Sequence, residues 1–267
     1  MPQADATFTG SIPDIYDRCL GPTLFEPFAR DLANRFKGWE GALLETAAGT
    51  GRVTRALAEA VGPRATIVAT DLNEPMLARA AQIVTAKNVQ WRQADAQALP
   101  FDRDGFEAIV CQFGVMFFPD KPAAFAEARR VLKPGGRFVF NVWDKIEANE
   151  LALVVHETVA SLFPDDPPGF LARTPYGFHD LGPIRAALTR AGFGAVELET
   201  VATTTLAASG KAIAEGLCMG SPLAAEIQAR RPGGLEDIAV EVAEAVVARF
   251  GTGPIEGAGR ALVVTAS

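Results

Sequence analysis

The chain is poor in the residues that carry most proton and metal chemistry. Its 267 residues include two histidines, His156 and His179, two tyrosines and three cysteines. Cys19, Cys111 and Cys218 stand far apart, a spacing that excludes a disulfide framework or a zinc knuckle and points to reduced thiols; no metal is expected. A dense Lys/Arg stretch is missing and the formal net charge is -7, which opposes a phosphate-tracking surface, so no nucleic-acid partner is expected. No apolar run approaches about twenty residues, so no membrane span is expected. The opening MPQADATFTG is polar and lacks a basic n-region, which reads as a cytoplasmic chain without a secretory signal.

What is present is an alternation of short apolar runs and helical patterns. Ala42–Leu44, Ala65–Ala69, Val89–Trp91, Phe106–Cys111 and Phe138–Val142 read as five strands. Between them Val53, Ala56, Leu57, Ala60 and Val61 recur at helical spacing, as do Met76, Leu77, Ala80, Ala81 and Val84, with Asn73 placed to cap that second helix and Pro75 in its first turn. Ala124, Phe125, Ala128, Val131 and Leu132 mark a further helix, closed by Lys133-Pro-Gly-Gly136. This order predicts an α/β fold: a Rossmann-like, mainly parallel sheet with helices on both faces. Farther on, a helix at 151–162 precedes the proline-rich loop 164–169 and a short helix near 184–190. A strand at 196–204, helices over 211–250 and a last strand at 261–264 complete the chain. The last strand suggests that the chain returns to one sheet; it is expected to run reversed, with helical insertions covering the active site. The reading is a single domain, 1–267, with a helical lid at 1–40, a ligand-binding core at 41–143 and covering helices and last strands at 144–267.

The stretch ETAAGTGRVT, Glu45 to Thr54, follows the first strand. Gly49 and Gly51 lack Cβ atoms and let backbone approach a ligand closely. Asp71 ends the second strand, where a carboxylate can accept hydrogen bonds from a ribose. The dinucleotide fingerprint G-x-G-x-x-G fails at Thr54, and no G-K-[ST] follows. The loop therefore fits a ribose-bearing ligand without a pyrophosphate to cradle. A bare strand-to-helix turn, or an NAD(P)-dependent oxidoreductase, is the rival reading of these residues.

Over roughly 41–143 the sequence resembles class I S-adenosylmethionine-dependent methyltransferases. Glu45-Thr-Ala-Ala-Gly-Thr-Gly51 is similar to that family's E-x-G-x-G-x-G loop; Ala94-Asp95-Ala96 before Leu99-Pro-Phe101 resembles its adenine-binding motif; Leu132-Lys-Pro-Gly-Gly136 resembles its turn into the fifth strand. The resemblance implies S-adenosylmethionine as cofactor, released as S-adenosylhomocysteine, and implies site residues. Glu45 would touch the methionine amino group, Ala47, Gly49, Thr50 and Gly51 would form the loop, and Asp71 would bind the ribose. Asp95 would bind the adenine amino group, Leu72 and Ala96 would line the adenine, and Gln112 would contact the ligand. Ala47 replaces the family's first glycine, and an alanine there fits a position where φ stays negative. Tyr16 belongs to a lid over the methyl donor.

The resemblance is nearest to the quinone-biosynthesis methyltransferases (methyltransferase type 11). This chain departs from them at Val142-Trp-Asp144 and at Tyr16-Asp-Arg-Cys-Leu20. The [DN]-P-P-[YF] motif of amino-methylating nucleic-acid enzymes and the Pro-Cys of cytosine C5 enzymes are absent after the fourth strand, where Cys111-Gln-Phe-Gly114 stands. The expected acceptor is a small, fairly apolar molecule, walled by Phe113, Phe117, Phe118 and Tyr176. Methyl transfer is an in-line displacement that needs a base only for an acceptor that must lose a proton. His179 is the base candidate; His156 reads as solvated. A binding protein of the same fold without transferase activity remains an alternative, and a homodimer a possible assembly.

Overall fold

The strands at 42–45 and 106–112 are apolar on both faces, and the structure shows why. In this computed structural model, which describes Asp5 and residues 12–267, Leu43 packs into one core and its neighbour Leu44 into another. Ala108 and Val110 share the first core, Ile109 and Cys111 the second. Successive side chains of a strand point to opposite faces, so a sheet covered on both sides needs runs, not alternation.

The chain begins with α1 (Ile12–Ile15), a π-helical segment Tyr16–Phe25 and α2 (Glu26–Asn34), followed by β1 (Ala42–Glu45) and α3 (Arg52–Ala60). β2 (Thr66–Asp71), α4 (Glu74–Ile83), β3 (Val89–Gln93) and β4 (Phe106–Gln112) come next. α5 (Lys121–Val131) and β5 (Leu132–Trp143) lead into the second half, with α6 (Glu150–Leu162), α7 (Phe170–Arg173), α8 (Leu181–Arg190) and β6 (Val196–Ala207). α9 (Gly210–Met219), α10 (Leu223–Arg230), α11 (Leu235–Phe250) and β7 (Ile255–Ala266) close it.

Among the described residues, seven strands form one sheet in the order β3-β2-β1-β4-β5-β7-β6. β1 pairs in parallel with β2 and β4, and β4 in parallel with β5. β7 runs antiparallel to both its neighbours, so the last strand is the reversed one. The N-terminal helices sit on the sheet: Phe28, Ala29, Leu32 and Phe36 are all buried.

Three local expectations are corrected. Asn73 precedes α4 but makes no side-chain cap; its amide Nδ2 instead donates to Asp71 Oδ1 at 3.3 Å. The segment 133–136 is not a turn ahead of the fifth strand but a bulge inside it. Phe106 pairs with Leu132 and Ala108 with Arg137, so five steps on β5 answer two on β4, with Gly135 at φ +78°. His156 is half-buried, not solvated. Cys19, Cys111 and Cys218 are buried and free, and burial pushes the thiols of Cys111 and Cys218 up to about 12. Among the described residues, no helix is long and apolar enough to cross a membrane, and no cluster of His, Cys, Asp and Glu is arranged to hold a metal.

Candidate active site

The strand order reverses between β1 and β4, so the loops leaving their carboxyl ends diverge and open a crevice. The loop after β1 is tied down by backbone bonds: Thr46 N–H donates to Val110 O at 3.0 Å, Ala48 N–H to Thr70 O at 2.9 Å and Gly51 N–H to Ala48 O at 3.0 Å. Its two glycines serve different ends. Gly49 has φ +56°, and a Cβ there would meet no atom within 4 Å, because it faces the open crevice. Gly51 has φ +80°, and a Cβ there would come within 3.1 Å of Ala80 and Trp91, so this glycine permits close packing of α3 against α4 and β3.

Ala47 has φ +52°, which corrects the expectation of a negative φ. The flanking hydrogen bonds impose the left-handed turn, and the alanine tolerates it at a cost of about 1 kcal/mol. Opposite, Phe113 at the end of β4 is also left-handed, with φ +51°. Its N–H donates to Asn141 Oδ1 at 3.0 Å, and its ring stacks on Trp143 with centroids 3.8 Å apart and planes 6° apart. Strained residues thus flank the crevice from both strand ends.

The crevice encloses about 570 Å³. Asp71, Leu72, Asp95 and Ala96 line it, with Ala47 and Gly49 of the loop after β1. So do Tyr16, Gln112, Phe113, Phe117 and Phe118. Asp71 Oδ2 accepts from Gly49 N–H at 2.8 Å and Oδ1 from Asn73 N–H at 2.8 Å, while burial raises its pKa. Asp95 Oδ1 accepts from Gln97 N–H at 2.8 Å. Leu72, 53% exposed, forms an apolar rim. Gln112 Nε2 donates to Phe25 O at 3.2 Å, joining the end of β4 to the N-terminal segment.

Other site candidates lie outside this lining. Glu45 is 1% exposed and its Oε2 accepts from Thr54 Oγ1 at 2.7 Å; desolvation raises its pKa to about 8. Thr50 is buried, its Oγ1 donating to Asp17 Oδ1 at 3.3 Å. His179 is half-buried, with Nδ1 2.8 Å from Tyr176 O, and lines neither the crevice nor the chamber beside it.

That chamber, about 40 Å³, shares Tyr16, Phe113 and Phe117 with the crevice. Tyr176 belongs to it, together with Phe25, Trp143, Phe170, Leu217 of α9 and Ser221 just beyond that helix. Sequence reasoning missed Phe25, Trp143 and Phe170. The available signal was Trp143, an aromatic residue ending a parallel strand on the ligand side. No Asp, Glu, His or Lys lines this chamber among the described residues. Burial raises the pKa of both Tyr16 and Tyr176, so their hydroxyls stay protonated. A larger cleft, about 750 Å³ between α9 and α11, contains no residue of the strand-end loops.

Residues 43–136 match a family described as a methyltransferase domain. The match covers about a third of the chain and shows what this segment is similar to. The chain is also similar to the ubiquinone/menaquinone biosynthesis C-methyltransferase UbiE of Burkholderia vietnamiensis, with 41% identity over 106 residues, 39% of this chain and 44% of that enzyme. The chain thus spans less than half the length of this curated relative. Two solved structures share the fold over nearly the whole chain. The [4+2]-cyclase SpnF has a TM-score of 0.60 at 18% identity, covering 100% of this chain and 97% of that one. Phosphoethanolamine N-methyltransferase 2 of Haemonchus contortus, solved with S-adenosyl-L-methionine, has a TM-score of 0.59 at 16% identity, covering 96% and 56%. The matched segment contains the glycine loop, Asp71, Asp95 and Phe113. Trp143, Phe170, Tyr176 and Leu217 lie beyond it.

Proposed function

We propose that this chain binds S-adenosylmethionine in the crevice and transfers its methyl group to a small, apolar acceptor at the aromatic chamber. One observation carries the reading. Two carboxylates, Asp71 and Asp95, share a crevice with the bare backbone of Gly49, and that crevice meets an aromatic chamber at Phe113. The open space at the Gly49 Cβ position admits a ligand against the loop, and Asp71 and Asp95 retain acceptor lone pairs for hydroxyl and amino groups. The apolar rim at Leu72 suits one face of a purine ring.

The sulfonium supplies a methyl group that is already activated. The chain's own residues orient the partners and exclude water, which is where an in-line displacement gains most of its rate. Tyr16 and Tyr176, held neutral by burial, can donate hydrogen bonds to an acceptor oxygen but do not take its proton. With no carboxylate or imidazole lining the chamber, the acceptor reacts as its own nucleophile. His179 would serve as base only through movement of the Tyr176 segment. A quinone-like ring suits these walls and agrees with the name of the UbiE relative, but the matched domain holds the donor half alone.

Calorimetry with S-adenosylhomocysteine and with NAD, followed by transfer from methyl-labelled donor to phenols, quinols, amines and carboxylates, tests the proposal. Binding of the homocysteine product without NAD binding, and label in a phenol or quinol, is expected. Absence of product binding sinks the donor assignment. Binding without any transfer would leave a donor-binding protein of this fold.

A further inference from the structure

We propose that Asp17 is a positioning residue that seats Tyr16 in the wall shared by the donor crevice and the aromatic chamber. The inference rests on the reading of the crevice as a methyl-donor site. Asp17 is 5% exposed, and three separate pieces of the donor half converge on it. Arg52, the first residue of α3, donates through Nε at 3.1 Å and Nη2 at 2.6 Å to Oδ1, and through Nη2 at 2.8 Å to the Asp17 carbonyl. Thr50 of the glycine loop donates to Oδ1 at 3.3 Å, and Arg79 of α4 to Oδ2 at 3.3 Å. One arginine would neutralise a buried carboxylate; hydrogen bonds from a loop and two helices fix its position as well.

The packing around the segment is equally specific. A Cβ on Gly21 would fall 2.5 Å from Arg52 Nη2, so the guanidinium lies against backbone that only glycine leaves bare. On the other side, a Cβ on Gly220 would meet Tyr16 N at 3.0 Å, and one on Gly216 would overlap Leu20. The π-helical segment is therefore held between α3 on the donor side and α9 on the acceptor side. Tyr16, next to Asp17 in sequence, stacks on Phe25 with centroids 4.8 Å apart and lines both cavities. π-helical turns widen the backbone and recur at functional sites. Here the widened turn carries the anchor and the wall residue side by side.

If Asp17 acts through Tyr16, loss of either residue opens the same wall. The dissociation rate of S-adenosylhomocysteine, followed by stopped flow, should rise about tenfold in Asp17→Asn and by a similar factor in Tyr16→Ala, and the double variant should not exceed the larger single effect. Arg52→Lys, which keeps the charge but loses the fork, should give an intermediate increase; it is the deciding variant should Asp17→Asn not melt cooperatively. A purely structural ion pair would lower the melting temperature and leave the dissociation rate where it was, and that result, or additive effects in the double variant, overturns the proposal. If the wild-type chain does not bind S-adenosylhomocysteine at all, the donor assignment falls first and this inference with it.

Discussion

A Cβ placed on Gly114 would overlap the Cβ of Ala47 across the crevice and lie 2.8 Å from Cys111 Sγ. The loops after β1 and β4 therefore meet with one methyl group between them, supplied from the β1 side. Gly114→Ala should cost about 1–3 kcal/mol, because neither neighbour has room to move. Ala47→Gly removes both the methyl group and the left-handed strain. Its gain is offset by greater freedom of the unfolded chain, so its own effect should stay within about 1 kcal/mol. The double variant Ala47→Gly, Gly114→Ala should recover the part of the loss due to the Ala47 methyl, with the Cys111 Sγ contact remaining. Urea unfolding of the four proteins checks this, and full additivity would mean the two residues do not compete for space.

Asp71 accepts from Gly49 N–H and Asn73 N–H and faces the crevice. Asp71→Ala should weaken S-adenosylmethionine binding by about 1–3 kcal/mol, since ribose hydroxyls lose a charged partner and the loop loses its tether. Isothermal titration on a variant with unchanged circular dichroism provides the measurement. An unaltered dissociation constant removes Asp71 from the site.

Glu45 carries a stability signature. Desolvation lifts its pKa from 4.5 to about 8. A raised carboxyl pKa means that the folded state holds the proton more tightly than the unfolded one. Its contribution is complete below about pH 4.5 and is lost as pH climbs through about 8. Glu45→Gln lacks this liability and can still accept from Thr54 Oγ1. The variant should therefore gain stability relative to wild type between about pH 5 and pH 9, by a few kcal/mol. Thermal melts across that range decide it; a constant difference would show that Glu45 keeps an ordinary pKa.

His179→Ala separates two routes to product. Loss of a general base should reduce turnover by about 10²–10⁴-fold with methyl-donor affinity intact. Loss of a residue that only braces Tyr176 through its carbonyl should change mainly the acceptor KM. The placement of His179 behind Tyr176 favours the second outcome, and steady-state kinetics with a verified acceptor discriminates.

The sheet and the strand-end residues that line the crevice are legible in the sequence. Runs such as Ala42–Leu44 and Phe106–Cys111 are apolar on both faces, which only a doubly covered strand requires. Gly49, Asp71 and Asp95 are legible because each stands at, or a few residues past, the carboxyl end of a strand, so local geometry alone carries them to the same edge. Tertiary structure decided the rest. The left-handed turn at Ala47 is imposed by hydrogen bonds to β2 and β4, which no local propensity reveals. The aromatic chamber joins Phe25, Phe113, Trp143, Phe170 and Tyr176, residues from segments far apart in the chain. The same holds for Asp17 and Arg52, which lie 35 positions apart and meet only because the N-terminal segment docks between α3 and α9. Contacts of that kind depend on how whole elements pack against one another, and hydrophobic period, the main signal in a single sequence, says which face of an element is buried but not what it is buried against.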